Sequence, residues 1–212
     1  MKLNTCGIQM MVKTIIYTFS VVFSLVCFTS TTSAEVSRRQ EMARSLKKQI
    51  FALHKSDEET TSIPYIERYL ELSPSEIYFK LLYAKALLYR TDLEVPKTEE
   101  AIEIRLNKAK LLKSNYAKSA KLFQEGVLHL QQVRPRDPNL GRWYYLWAFS
   151  EWFSDNKEKA IKLFQKSVKQ DYRLTESYYN IAALYESLGQ WRDAELYWRK
   201  YEKAEREIEE EE

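Results

Sequence analysis

The sequence has few of the residues that turn or cross-link a chain: 4 Gly, 5 Pro and 2 Cys in 212 residues. So few Gly and Pro leave little turn chemistry for an all-β sandwich of many short strands. Two Cys cannot form the framework of a disulfide-rich domain. The charges nearly cancel, with 33 Lys and Arg against 30 Asp and Glu, so there is no electrostatic reason to expect a nucleic-acid partner. An aromatic content of 14% argues against a disordered chain.

The first 34 residues contain no Asp or Glu and have the layout of a targeting segment. Lys2 and Lys13 precede an apolar run, 15–28, and the small residues of 32–34 follow it. A basic start, a short apolar run and a small-residue end predict a secretory signal peptide, 1–34, that is cleaved after Ala34. An uncleaved membrane anchor is the alternative, but the apolar run is shorter than the roughly 20 residues that span a bilayer.

Cleavage after Ala34 would remove Cys6 and Cys27, so that the chain from residue 35 onward would have no thiol. A chain without thiols suits an oxidising compartment, and we predict a periplasmic location. Secretion or a lipid anchor at Cys27 is the alternative, although Val26 stands where a lipoprotein has a small residue before the cysteine. The sequence leaves open which methionine starts translation: Met1, Met10 or Met11.

The C-terminal region repeats itself at an offset of 34 residues. Trp143–Ala148 aligns with Ser177–Ala182, and Ala160–Phe164 aligns with Ala194–Trp198. A large aromatic, a small residue four positions later, and then Ala and another aromatic in a second segment resemble the tetratricopeptide repeat (TPR). The resemblance implies two helical hairpins, 141–174 and 175–208. The first departs from the pattern because Glu151 stands where the motif has Tyr.

The N-terminal half has a weaker pattern that also predicts helices. One is expected over 37–54, a short one over 62–72, and one that begins with the cap-like Ser73-Pro74-Ser75-Glu76 and continues to 88. For 97–133 we predict a single helix about 50 Å long, with two helices broken near Ser114 as the alternative. The long helix is supported by apolar residues that recur every seven positions: Ile102, Ala109, Tyr116, Phe123 and Leu130.

Together these segments predict an all-α fold, a right-handed α-solenoid of about four TPR-like hairpins over 35–208, the second with an overlong helix. An acidic tail, 209–212, follows and is expected to be frayed. Asp155 with Glu158 predicts a capping box, and Gly189 a left-handed residue at a helix end. The last helix is predicted to cap the array with a polar outer side, which carries Arg192, Arg199, Lys200, Lys203 and Arg206.

No motif for catalysis or cofactor binding is present in the sequence. Beyond residue 34 the glycines are scattered, so there is no Gly-rich phosphate loop, and no G-x-S-x-G elbow occurs. His54 and His129 are far apart and lack metal-ligand spacing. We therefore predict no catalytic residue, no cofactor and no metal site. A basic run is interpreted as the polar side of the long helix, with a membrane or cell-wall contact as a weakly supported alternative: Arg105, Lys108, Lys110, Lys113, Lys118 and Lys121.

The TPR resemblance implies that the first helix of each hairpin lines a groove for a peptide or a partner helix. Counting along those helices gives the predicted protein-binding residues Phe79, Tyr83, Arg142, Tyr145, Phe149, Trp152, Tyr179, Asn180 and Glu186. Seven aromatics occur between residues 143 and 153, more than one helix can bury against its own hairpin. The alternative is that Phe149 and Trp152 pack beneath the long helix.

The favoured functional hypothesis is a non-enzymatic, exported scaffold that holds another protein of the cell envelope in this groove. The second hypothesis is a structural subunit of a periplasmic machine that assembles through its convex face or its ends, with contacts at Lys110, Lys113 and Lys121. The third, a cell-wall enzyme, would need carboxylates that converge in the folded chain. The sequence leaves the identity of the partner and the oligomeric state open.

Overall fold

The computed structural model describes residues 34–90 and 102–211. The predicted signal peptide up to residue 33, including Cys27, lies outside the described residues, as do residues 97–101 of the predicted long helix. The chain forms two compact units, Met1–Leu46 and Lys47–Glu212. In the first unit, residues 34–46 are helical and most of their side chains are exposed.

The described residues form helices and contain no strand. Helix α1 covers residues 34–55, and a short 3-10 turn, Thr60–Ser62, leads into the next helix. The remaining helices are α2 (Ile63–Leu72), α3 (Ile77–Leu88), α4 (Ile102–Val133), α5 (Leu140–Phe153), α6 (Lys157–Gln170), α7 (Glu176–Ser187) and α8 (Trp191–Glu211).

Consecutive helices of the second unit pack against one another. The pairs α3 and α4, α5 and α6, and α7 and α8 form hairpins, and α4 with α5 and α6 with α7 join each hairpin to the next. An array in which each hairpin touches mainly its neighbours in sequence is an α-solenoid. The predicted all-α, TPR-type fold is confirmed, and the overlong helix, α4, belongs to the hairpin of α3 and α4.

The repeated alanines are buried in the paired helices of the two C-terminal hairpins. Ala148 and Ala160 are buried between α5 and α6, and Ala182 and Ala194 are buried between α7 and α8. A larger side chain at these places would force the helices apart, because protein interiors have no spare volume. The spacing of these alanines in the sequence therefore sets the spacing of the helices.

Small residues also occur where one helix meets another at close range. Ser167 of α6 is buried, and its hydroxyl lies 2.6 Å from the Ser177 hydroxyl of α7. Gly126 of α4 faces Leu81 of α3, and a Cβ atom at residue 126 would lie only 2.5 Å from Leu81 Cδ2. At these positions a bulky side chain would push the packed helices apart.

The long helix α4 is continuous through Ser114, so the alternative of two shorter helices is wrong. Ser114 is exposed on the helix surface, while the polar residues next to it pack into the core. Asn115 and Ser119 are buried, and the Ser119 hydroxyl donates to the Ala84 carbonyl at 2.7 Å and lies 2.9 Å from the Ser150 hydroxyl. These bonds satisfy Ser119 without a break in the helix.

The predicted capping box of Asp155 and Glu158 is wrong. Helix α6 begins at Lys157, and its N-cap is Asn156, which makes no side-chain capping bond. Asp155 has φ +73° in the turn between α5 and α6, a conformation that Asp tolerates better than most residues. The Asn156 side chain donates instead to Glu151 Oε2 at 2.7 Å, which ties the turn to α5.

Three other helix ends test the sequence signals. The predicted start at Ser73 is wrong, because Ser73 is the C-cap of α2 and α3 begins at Ile77. Gly189 has φ +71°, so the predicted left-handed residue after α7 is confirmed. The acidic tail is not frayed as expected: α8 continues to Glu211, whose carboxylate lies 3.3 Å from the Arg173 guanidinium.

Candidate protein-binding surface

Among residues 34–90 and 102–211, no group of three His, Cys, Asp or Glu side chains is placed to hold a metal ion. In the same residues no helix is long and apolar enough to cross a membrane. His54 Nε2 lies 3.1 Å from the buried Ser62 hydroxyl, and Glu59 accepts from Lys85 Nζ at 2.6 Å. Burial lowers the pKa of His54, with Glu59 opposing that shift. These contacts tie α1 and the 3-10 turn to α3, so they have a structural explanation.

Four residues of α5 form a continuous surface, which we call the α5 strip: Arg142, Tyr145, Phe149 and Trp152. Their spacing of three, four and three residues places them on one face of the helix. Arg142 is exposed and its guanidinium lies 5.1 Å from the centre of the Tyr145 ring. The three aromatic side chains are half-buried, so each keeps part of its ring in contact with solvent.

The rings of the α5 strip are held from below by one buried residue of α6. Phe164 is fully buried, and its ring centre lies 5.6 Å from that of Tyr145, 5.2 Å from Phe149 and 6.4 Å from Trp152. The rings of Tyr145 and Phe149 meet edge to face, and those of Phe149 and Trp152 are stacked. Such contacts fix the orientation of the half-exposed rings.

Two other aromatics of α5 have rings that contact the long helix: the Phe153 ring centre lies 5.0 Å from that of Tyr116, and the Trp143 ring centre lies 6.2 Å from that of Phe123. The ring contacts of Phe149 and Trp152 are with each other and with Tyr145, Phe153 and Phe164 of their own hairpin. The α5 strip is therefore supported from the inside of its hairpin and keeps its outer side partly open.

The end of the α5 strip nearest α7 is polar. Asn180 of α7 is buried. Burial raises the pKa of Tyr145, the carboxylate of Glu176 adds to the rise, and Arg142 and the Asn180 side chain oppose it. The structure therefore brings Asn180 to the strip as a support for Tyr145.

Tyr179 and Glu186, also predicted for the groove, belong to a second group of residues. We call Tyr179, Trp198 and Tyr201 the C-terminal aromatic cluster. The Tyr179 ring centre lies 4.9 Å from that of Trp198 and 5.8 Å from that of Tyr201. Glu186 Oε1 accepts from the Trp198 indole nitrogen at 2.8 Å. Partial burial, Glu205 and Glu176 raise the pKa of Tyr201.

Sequence reasoning missed Trp198 and Tyr201 as surface residues, although the repeat contains a signal for them. At the offset of 34 residues, Trp198 aligns with Phe164 and Tyr201 with Ser167, which are both fully buried. Trp198 and Tyr201 are only half-buried. The pattern therefore marks them as residues that would be covered if another element lay against the last hairpin.

Phe79 and Tyr83 do not lie on an accessible surface, so their predicted place in an open groove is wrong. Phe79 is 1% exposed and packs between Phe51, at 5.7 Å, and Tyr69, at 4.1 Å between ring centres. Tyr83 is 5% exposed. The count that placed them in the groove started at residue 75, whereas α3 begins at Ile77 and is buried on most sides.

The hydroxyl of Tyr83 lies in a small polar group between three helices. It donates to Glu67 of α2 and accepts from Lys118 Nζ of α4 at 2.5 Å. The Lys118 ammonium also lies 4.6 Å from the centre of the Tyr83 ring. Burial, with a contribution from Glu67, raises the pKa of Tyr83. These contacts join α2, α3 and α4, so Tyr83 has a structural role.

Three other basic residues of α4 face solvent. Lys110, Lys113 and Lys121 are exposed and share one side of the helix. Their arrangement matches the polar side of a long surface helix.

Comparison with known proteins gives only distant likenesses. A crystal structure of the MamA protein shares 14% identity at a TM-score of 0.41, over 81% of this chain and 96% of the other. A truncated MamA from Desulfovibrio magneticus RS-1 shares 14% identity at a TM-score of 0.39, over 78% of this chain and 96% of the other. At these TM-scores the likeness identifies neither a family nor a function. No family model matches the chain, and no curated protein matches it.

Proposed function

We propose that this protein is a non-enzymatic scaffold of the TPR type that binds a segment of another protein on the α5 strip. The observation that carries the proposal is the row of half-exposed aromatic rings on α5, held in fixed orientation by Phe164. Exposed apolar surface on a rigid helix is typical of protein interfaces, and Tyr, Trp and Arg are the residues most enriched among the strongest contacts.

The chemistry of the α5 strip favours a partner segment with apolar side chains and a carboxylate near its end. Tyr145, Phe149 and Trp152 are already ordered by Phe164, so binding costs little side-chain entropy. The exposed guanidinium of Arg142 lies at one end of the row, where it can form a two-pronged hydrogen bond with a carboxylate. An apolar and acidic segment therefore matches the strip along its length.

Site-specific crosslinking tests the proposal in the cell envelope. A photoreactive phenylalanine analogue replaces Phe149 or Trp152 in the full chain, and the adducts are identified by mass spectrometry. We expect both positions to capture the same protein. The control is the same analogue at Lys162, an exposed residue of α6. Equal capture at residues 149, 152 and 162, or no adduct at 149 and 152, would contradict binding at the α5 strip.

We further propose that the protein is exported and works in the periplasm. The support is the acid-free start of the chain, its apolar run and the small residues before Glu35. We expect Edman sequencing of protein from the periplasmic fraction to begin at Glu35. A chain that keeps Lys13 and fractionates with the cytoplasm would contradict export. The same measurement on a variant with Val22→Arg in the apolar run should find unprocessed protein.

A further inference from the structure

The second helix of the last hairpin exposes positions that are buried in the preceding hairpin. Tyr179 is 48% exposed, and Trp198 and Tyr201 are half-buried. The counterparts of Trp198 and Tyr201 in the preceding hairpin are covered: Phe164 and Ser167 are fully buried, and Ser167 contacts Ser177 of α7. The position that α7 covers at Ser167 is thus open at Tyr201 in the last hairpin.

Trp191 extends this face along α8. It is 68% exposed and precedes Trp198 by seven residues, nearly two helical turns, so the two indoles lie on the same side of the helix about 10 Å apart. Contiguous exposed aromatic surface of this kind marks interaction sites. We call the combination of Trp191 and the C-terminal aromatic cluster the α8 face.

The charges on the α8 face have one sign. Glu202, Glu205 and Glu209 follow Trp198 by 4, 7 and 11 residues, which places them on the same side of the helix. No lysine or arginine in the part of the chain that the structure describes forms a salt bridge with any of the three.

The basic residues of α8 lie away from this side. Arg199 forms a salt bridge with Glu195 at 2.5 Å, and Lys203 forms one with Glu207 at 3.4 Å. The cations predicted as a polar outer side are therefore present, but they do not neutralise the carboxylates beside the aromatic rings. The α8 face is both aromatic and acidic.

From this combination we propose that the α8 face binds a basic amphipathic helix of a partner protein. Apolar side chains of that helix pack on Trp191, Trp198 and Tyr179, and its Lys or Arg side chains pair with the three glutamates. A cation within about 6 Å of an indole or phenol ring is also attracted to the ring face. A symmetric contact between two copies is disfavoured, because it would bring the two sets of glutamates together.

A matched pair of peptides tests the charge requirement. The first probe is an 18-residue fluorescein-labelled peptide with Leu at helical spacing and Lys elsewhere, and the second has Glu in place of every Lys. Binding to the full chain is measured by fluorescence anisotropy. We expect the Glu peptide to bind at least tenfold more weakly than the Lys peptide. Added salt should lower the affinity of the Lys peptide only. Equal affinity for the two peptides would overturn the proposal.

Variants of exposed residues then locate the site. The double variant Tyr179→Ala with Trp191→Ala should bind the Lys peptide about tenfold or more weakly, as expected for the loss of aromatic anchors. Glu202→Lys with Glu205→Lys and Glu209→Lys should weaken it by at least as much. The control is Glu207→Lys, on the opposite side of α8, which should bind normally. Full binding by both multiple variants would place the peptide elsewhere and contradict the proposal.

Two further measurements separate this surface from its neighbours. A variant of the α5 strip should keep its affinity for the Lys peptide, so the α8 face can fail or succeed independently of the proposed scaffold function. Sedimentation of the full chain over a range of concentrations should give a monomer. A dimer that Trp191→Ala abolishes would identify a second copy of the chain as the occupant, against the proposal.

Discussion

Replacement of Glu151 by alanine is expected to lower the free energy of unfolding by about 2–4 kcal/mol. The Glu151 side chain is 4% exposed. Its carboxylate accepts from the Trp147 indole at 2.9 Å and from Asn156 Nδ2 at 2.7 Å, and Lys159 Nζ lies 2.7 Å away. Alanine leaves the buried Trp147 indole N–H without an acceptor inside the hairpin of α5 and α6, and a buried polar group without a partner is costly.

Urea unfolding followed by circular dichroism measures the loss, and the thermal midpoint should fall by roughly 5–15 °C. Glu158→Ala is the matched control, because Glu158 is an exposed carboxylate at the start of α6, and its loss should change stability by less than about 0.5 kcal/mol. Lys159→Met offers a second route, since it leaves the buried carboxylate without its cation. A loss below about 1 kcal/mol for Glu151→Ala would show that the network contributes little.

The second large effect concerns binding. The combined change Tyr145→Ala, Phe149→Ala and Trp152→Ala removes three aromatic contacts. It is expected to lower the affinity for the partner segment identified by crosslinking roughly 100-fold or more. Isothermal calorimetry with the purified full chain and a synthetic peptide of that segment measures the change. A variant that binds as tightly as the native chain would remove the α5 strip from the interface.

The triple change also removes rings that pack on Phe164, so loss of binding has to be separated from loss of fold. Arg142→Glu serves this purpose, because Arg142 is exposed and its ring contact is with the half-exposed Tyr145. This variant should keep the native unfolding curve and still bind an acidic partner segment about tenfold more weakly, because of charge repulsion. Tyr179→Ala, on the α8 face, is the control and should bind the segment normally.

The sequence predicted the two C-terminal hairpins well because their signals are local. Ala148 and Ala160 determine how closely α5 approaches α6, and each lies within a short, regular pattern. Gly189 likewise acts through its own backbone conformation. The long helix was predicted because its apolar residues keep their period through Ser114. Such features depend on neighbours a few residues away, which the sequence displays directly.

The exposed surface was predicted less well because it depends on distant residues. Phe79 was placed in a groove, but Phe51 and Tyr69 cover it, and no local pattern indicates their approach. Glu151 departs from the repeat pattern, and its reason became visible only with Lys159 and Asn156 beside it. The α8 face was missed because Trp198 has the pattern of a core residue. Whether such a residue is covered depends on the elements that pack against it, which the pattern does not show.

The contrast between Ser167 and Tyr201 limits how this array could grow by duplication. A copy of the last hairpin inserted after residue 208 would have to bring its first helix against position 201, where the phenol of Tyr201 stands in place of a hydroxymethyl group. Overfilled contacts of this size typically cost about 1–3 kcal/mol. A longer descendant of this protein would therefore need a small residue at position 201 before an added hairpin could be accommodated.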